Sequence, residues 1–298
     1  MIVKLRLISH ALRNTTQHYT EDRTMKLAQL NRIAFFALAV CGALSLPTSG
    51  FAQSKETGPK GKPKWSVSWG WNWDGYSKSD IHFSGSDHNF TLKNVSAKDK
   101  QDELSASTMT KWLNPSKMTL PQTNARVAYQ LDSDTAVALN LDHMKYVVSD
   151  GQTVNASGYY GSTTYAAGAT QLLNPSFMHF ELTDGLNVVT LEYEKQYPLA
   201  GYQGARAFWL VGAGVVVPKS NVTMSMVGQT RSDKYHLAGY AVNGAVGLEK
   251  DFATDFFIRS TAKFGHVNLN DAVTSARDDK ASHRFQFSEF SVSAGYRF

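Results

Sequence analysis

Two features together limit what this chain can become. After residue 52 it has no apolar run long enough for a transmembrane helix, and its apolar residues return at every second position. In the final stretch Phe290, Val292, Ala294, Tyr296 and Phe298 share one face, while Glu289, Ser291, Ser293 and Gly295 share the other. Period two is the signature of a strand with one apolar and one polar side. In a soluble sandwich the apolar side meets a core. In a membrane barrel it meets lipid, and the polar side lines the lumen. Residues 65–74 sharpen the choice, because Trp65, Val67, Trp69, Trp71 and Trp73 alternate with Ser66, Ser68, Gly70, Asn72 and Asp74. Five large apolar residues facing water would aggregate. Facing lipid, the terminal tryptophans form part of an aromatic girdle.

The leader points to export. Lys26 and Arg32 precede an apolar stretch at 33–46, and small residues at Gly50 and Ala52 close it. The apolar run is about 14 residues, short of the roughly 20 that span a bilayer. This pattern predicts a signal peptide cut after Ala52, with residues 1–24 upstream of a true start at Met25. A lipoprotein box at Leu38-Ala39-Val40-Cys41 fits less well, since Val40 is large and the residues after Cys41 stay apolar. The chain has 30 Lys+Arg and 25 Asp+Glu. The leader holds Lys4, Arg6, Arg13, Arg23, Lys26 and Arg32 against Glu21 and Asp22, leaving 24 bases and 23 acids. The basic balance therefore argues for no nucleic-acid partner. Cys41, the single cysteine, leaves with the leader, so no disulfide is expected.

Residues 53–64, with Gly58, Pro59, Gly61 and Pro63, read as a short periplasmic tail. Residues 65–298 then form the barrel. Alternation marks strands at 65–74, 123–131, 135–147, 186–197, 205–217, 235–248, 256–267 and 283–298. The connections near 132–134, 198–204 and 252–255 are short, while 77–122, 149–185, 218–234 and 268–282 are long. Short periplasmic turns alternating with long outer loops characterise outer-membrane barrels. The expected fold is all-β, an eight-stranded antiparallel transmembrane barrel with long extracellular loops. A barrel of that size is filled by side chains rather than open. Parity sends Asp74, Arg126, Asp142, Glu192, Glu194, Arg259, Lys263 and Glu289 inward. Buried charges persist when paired, so these predict an ion-pair network plugging the lumen.

The final strand, ending on Phe298, resembles the C-terminal signature of Gram-negative outer-membrane barrel proteins. Residues 65–298 resemble, at the level of pattern, the small eight-stranded outer-membrane barrels. The segments at 142–147 and 180–187 look like those of a bacterial outer-membrane family without an assigned activity, and no functional residue transfers from it. The resemblance implies residence in the bacterial outer membrane, contact with its lipid and lipopolysaccharide, and recognition of the last strand by the barrel-assembly machinery.

Candidate chemistry lies in the outer loops. Asp80, His82 and Ser84 would share one face of an extended segment within a hairpin turned at Gly85-Ser86-Asp87. A serine, a histidine and an acid are the minimum for an activated nucleophile. Outer-membrane phospholipase and the lipid A deacylases also carry His-x-Ser on a strand, and the resemblance stops at His82 and Ser84. A second set, His143, Lys145, His179, Glu181 and Asp184, would meet at the outer rim. Its spacing matches no metal motif, and it suits contact with anionic lipopolysaccharide and its cations. Asn-Pro-Ser turns at 114–116 and 174–176 would fold the loops over the mouth. No cofactor or resident metal is expected. The leading expectation is a structural or ligand-binding barrel without an open pore. A lipid-active hydrolase, or a narrow transport route for small or apolar solutes with a lateral opening between strands, stands behind it.

Overall fold

A computed structural model describes residues 64–113, 122–229 and 235–298. The leader, most of the tail and the first Asn-Pro-Ser turn lie outside the described residues. Eight long strands form the wall: β1 Trp65–Tyr76, β2 Thr123–Gln130, β3 Thr135–Val148, β4 His179–Pro198, β5 Ala205–Pro218, β6 Gly239–Asp251, β7 Phe256–Val273 and β8 Lys280–Arg297. Each pairs antiparallel with the next, and β8 returns to β1 through a register running from Ser66 opposite Arg297 to Tyr76 opposite Phe287. The ring is closed, so no wall strand keeps a free edge along its full length. Among the described residues no helix is long and apolar enough to cross a membrane.

Alternation along the ring sorts the two faces. Leu139, Leu191, Val246 and Phe264 point outward, 57%, 67%, 58% and 66% exposed. Around one end of the barrel Trp65 packs on Tyr129 at 4.8 Å and Phe256 on Tyr296 at 4.9 Å. Apolar side chains this exposed around a whole ring, rimmed by aromatics, require a lipid solvent.

Four strands run further than their alternation alone suggests. β4 begins at His179 instead of 186, passing through a register shift between Leu182 and Leu186. Gly185 sits there at φ 137°, a conformation that an L side chain rarely adopts. β7 reaches Val273 and β8 starts at Lys280, both at the outer end, while β6 runs on to Asp251 at the opposite end. The wall therefore rises past the apolar belt. On its outer end stands a second sheet. The hairpin Ser79–Ser84 and His88–Val95 pairs with the top of β8 on one side and with the strand Thr153–Tyr160 on the other.

Two findings differ from an all-polar lumen between eight continuous strands. First, the outer half of the interior is apolar. Inward positions pass from charged to apolar along one strand: Asp142, then Met144 and Tyr146 in β3; Lys263, then Val267 and Leu269 in β7; Glu289 beside Phe287 and Phe285 in β8. Ile81, Phe83, Phe90 and Phe180 extend that core into the outer sheet. Tyr146 and Phe285 pack at 4.8 Å, and Phe83 and Phe90 stack at 5.0 Å. Each such side chain contributes about 1.5–3 kcal/mol by leaving water. Second, β2 is short. It meets β1 only up to Trp71, whereas β1 continues against β8 to Tyr76. Ala97 and Lys98 pair with Val148 and Val147 of β3 and take over the wall position above β2. Trp112, at the end of the short helix Met109–Trp112, packs on Trp71 and Trp73 at 5.9 and 6.0 Å. These two tryptophans are thus covered in part by the chain itself.

Candidate functional site

The inner half of the lumen is a charged layer built by parity on seven adjacent strands, β2 to β8. Arg259 of β7 donates to Glu194 of β4 (Nη2–Oε2 2.5 Å) and to Glu249 of β6 (3.1 Å). Arg126 of β2 bridges Glu192 at 2.9 Å and Glu194 at 2.8 Å. Lys263 joins Asp142 at 2.5 Å and Glu192 at 3.3 Å. Towards the aromatic end Arg206 and Arg297 both hold Glu249 and Asp251, Arg297 at 2.5 and 2.7 Å. Five acids meet five bases in this layer. Glycine makes room for its floor. A Cβ on Gly247 would lie 2.2 Å from the Phe208 ring, and one on Gly295 would lie 2.1 Å from the Phe257 ring. The rings lie flat in those gaps and carry Arg259 and Arg297 at 3.5 and 4.3 Å. The cavity left between Arg126, Glu192, Arg259 and Lys263 measures about 20 Å³, space for about one water.

Of the eight residues that parity sends inward, six join this net, and Asp74 stays outside it together with Glu289. Glu289 is inward and buried, yet no base among the described residues lies within ion-pair distance of it. The sequence reading missed Arg206, Glu249, Asp251 and Arg297. The signal for Arg297 was present: it continues the inward series Glu289, Ser291, Ser293, Gly295. Arg206 was hidden by the weak alternation of β5, while Glu249 and Asp251 lie past the predicted end of their strand.

The outer hairpin forms, and it holds Asp80, His82 and Ser84 along one strand. They do not form a relay. His82 Nδ1 shares a hydrogen bond with Thr91 Oγ1 at 3.0 Å, and Asp80 Oδ1 accepts from the Asn94 backbone N–H at 2.8 Å. Cross-strand pairing takes both groups sideways, because neighbouring strands lie closer than alternate residues of one strand. The rim set divides as well. His179 Nε2 lies 3.2 Å from Glu181 Oε2, and Glu181 also accepts from Lys100 at 3.1 Å and Thr183 at 2.8 Å. His143 instead meets Asn187 Oδ1 at 2.7 Å, and buried Lys145 reaches the Lys100 carbonyl at 3.4 Å. The side chain of Asp184 lies outside the described residues. At the hairpin tip, unnoticed in the sequence, Arg277 clasps Asp87 and Asp279, each at 2.9 Å. Its guanidinium holds the Asp87 carboxyl below the usual carboxylate range, helped by His88. Asp87, His88 and Asp279 place ligand atoms within 4.8 Å of one another, and Arg277 already neutralises both acids.

No protein-family model matches the chain, and no curated protein matches it significantly. Solved structures do. Neisserial surface protein A aligns at 7% identity and TM-score 0.37, over 80% of this chain and 100% of its own. The outer membrane protein OprG from Pseudomonas aeruginosa aligns at 8% and 0.35, over 80% and 97%. The outer membrane protease OmpT from Escherichia coli aligns at 9% and 0.38, over 85% and 100%. Likenesses this distant carry no functional assignment, and the barrel stands on its own closed strand ring.

Proposed function

We propose that this chain is a bacterial outer-membrane barrel with a sealed lumen, whose outer sheet acts as a rigid structural or ligand-binding surface. The observation that carries this reading is the filling of the interior by two stacked layers. The charged layer leaves room for about one water. Above it the apolar layer is packed around Met144, Tyr146 and Phe285, each at most 2% exposed. An ion crossing this barrel would have to break both.

The outer sheet supports the surface role. Its inner face is apolar, carrying Ile81, Phe83, Phe90, Leu92, Val154 and Ala156. Its other face bears cross-strand rows of small polar groups: Ser282, His82, Thr91 and Ser157 in one, Lys280, Ser84, Asn89 and Tyr159 in the next. Hydroxyls, amides and one imidazole in fixed register suit a polar or saccharide ligand, lipopolysaccharide sugars among them. A nucleophilic hydrolase gains nothing from the His82–Thr91 pairing, and an apolar solute route gains nothing from a packed core.

Conductance in planar bilayers tests the reading. The folded protein should give no steps above background at either polarity. Discrete, reproducible openings would overturn the sealed lumen.

A further inference from the structure

Between the charged layer and the apolar layer lies a group of acids that no base clasps among the described residues, for Lys263, in register opposite Glu289, reaches Asp142 and Glu192 instead. Asp74 of β1 stands directly opposite Glu289 of β8, both inward and buried. Asp99, in the segment that completes the wall above β2, accepts from the Asp74 backbone N–H at 3.0 Å. Among the described residues none of the three has a base within ion-pair distance, although each acid of the layer below has one. What surrounds them is amide. Asn72 Nδ2 donates to Asp74 Oδ2 at 3.3 Å and to Glu289 Oε2 at 3.5 Å. Gln122 Nε2 donates to Asp74 Oδ2 at 3.0 Å. Four oxygens at this one place are buried and find no hydrogen-bond partner: Asn72 Oδ1, Asp74 Oδ1, Gln122 Oε1 and Glu289 Oε1. Their side chains are 0%, 8%, 0% and 3% exposed as residues. Burying several carboxylates beside one another without a cation in contact is costly, and so is leaving the oxygens of buried amides bare.

We propose that this cluster is a binding site for one hard divalent cation of the calcium class. Asp74 and Glu289 supply the charge, and Asn72 and Gln122 turn their amide planes to present oxygen. A primary amide serves equally as donor or acceptor after that turn. Asp99, half-exposed at the outer end of the wall, is the point of access. An all-oxygen set with two or three carboxylates suits calcium, whose flexible coordination takes six to eight such ligands. It offers no nitrogen or sulfur for zinc. The ion would lock β1 to β8 and to the 99–101 segment where β2 leaves the wall incomplete. The site is independent of what the outer sheet binds, so failure here leaves that reading untouched.

The test uses terbium(III) as probe on the mature protein, folded in lipopolysaccharide-free detergent and stripped with chelator. Trp71 and Trp73, on either side of Asn72 in β1, would sensitise a bound ion. The expected result is emission saturating at one ion per chain and displaced by calcium. It should be lost in D74N/E289Q protein that still shows the gel-mobility shift of a folded barrel. D99N, which alters only the half-exposed ligand, should weaken binding by roughly tenfold and keeps the test readable if the double variant does not fold. Absence of saturable emission from the unaltered protein would overturn the proposal and leave protons as the neutralising charge. Emission unchanged in D99N and in any folded D74N/E289Q protein would overturn it too, as would emission lost instead in D87N/D279N.

Discussion

Replacing Lys263 by methionine separates a lumen held by matched charge from one merely filled with polar groups. Lys263 and Asp142 are 3% and 0% exposed in their side chains and meet at 2.5 Å. Lys263 also reaches Glu192, which keeps Arg126 at 2.9 Å when the lysine is gone. Asp142 has no second base among the described residues. Removing one partner of a buried pair costs about 3–5 kcal/mol, because the other charge is left behind. For K263M the cost should fall near the top of that range. Arg259→Met provides the contrast. It deletes more hydrogen bonds, yet Glu194 keeps Arg126, and Glu249 keeps Arg206 and Arg297. Its cost should fall near 3 kcal/mol, the lower end of the same range. Adding D142N to K263M should restore most of the loss, since the stranded charge is then gone. Urea unfolding in lipid vesicles, followed by tryptophan emission, measures all four proteins. A K263M cost under about 1 kcal/mol, the scale of an exposed ion pair, or a D142N change that deepens the loss, would refute matched charge as the reason this layer exists.

Other expectations concern the remaining layers. Leu191→Arg places a cation on the outward belt and should destabilise the barrel by about 2–4 kcal/mol in bilayers, with a much smaller effect in a detergent that reaches the side chain. Phe285→Ala opens the packed outer core and should cost about 3–5 kcal/mol by the same unfolding assay, without creating conductance. The Arg277 clasp depends on acid: Asp87 is held below its unfolded value, so its contribution is present above that value and fades as pH falls through the folded one. Protection against hydrogen exchange across residues 274–279, measured relative to the intrinsic amide rate at each pH, should therefore fall from pH 7 to pH 3, and R277A should show low protection at both. Mass spectrometry of outer-membrane lipids should give the same acyl profile for the unaltered protein and for H82A/S84A. Acyl loss confined to the unaltered protein would install the hydrolase reading.

The wall was legible because lipid on one side and a filled lumen on the other impose period two along most of its strands. Residues 135–147 and 205–217 therefore announced β3 and β5 almost to their ends. Parity also placed Arg126, Asp142, Glu192, Glu194, Arg259 and Lys263 on one surface, though it says nothing about height. Height decides which charges meet, and it turns the inward side apolar at Met144 and Phe287. That change was present in the letters, since Phe285 and Phe287 continue the inward series of Glu289. It was masked by the assumption that a lumen is polar throughout. The extent of β2 was legible, but the segment that completes the wall above it was not. Residues 97–101 carry no alternation of their own, and they join the wall only because β1 and β3 leave a gap there. The outer hairpin was visible in its alternation, while the partners of His82 were not, because Thr91 arrives through cross-strand register. The second Asn-Pro-Ser turn does form, with Asn174 accepting from the Phe177 N–H at 3.0 Å.

The central claim is that alternate residues of one strand face lipid and a sealed interior. Nitroxide labels placed singly at residues 189 to 193 of β4 in lipid vesicles test it directly, reading collision with oxygen against collision with a polar nickel chelate. Oxygen contact should peak at 189, 191 and 193 and collapse at 190 and 192, with the chelate excluded from all five. Chelate contact at 189, 191 and 193 would mean that this face meets water, and chelate contact at 190 and 192 would mean an open lumen. Either result would contradict the account.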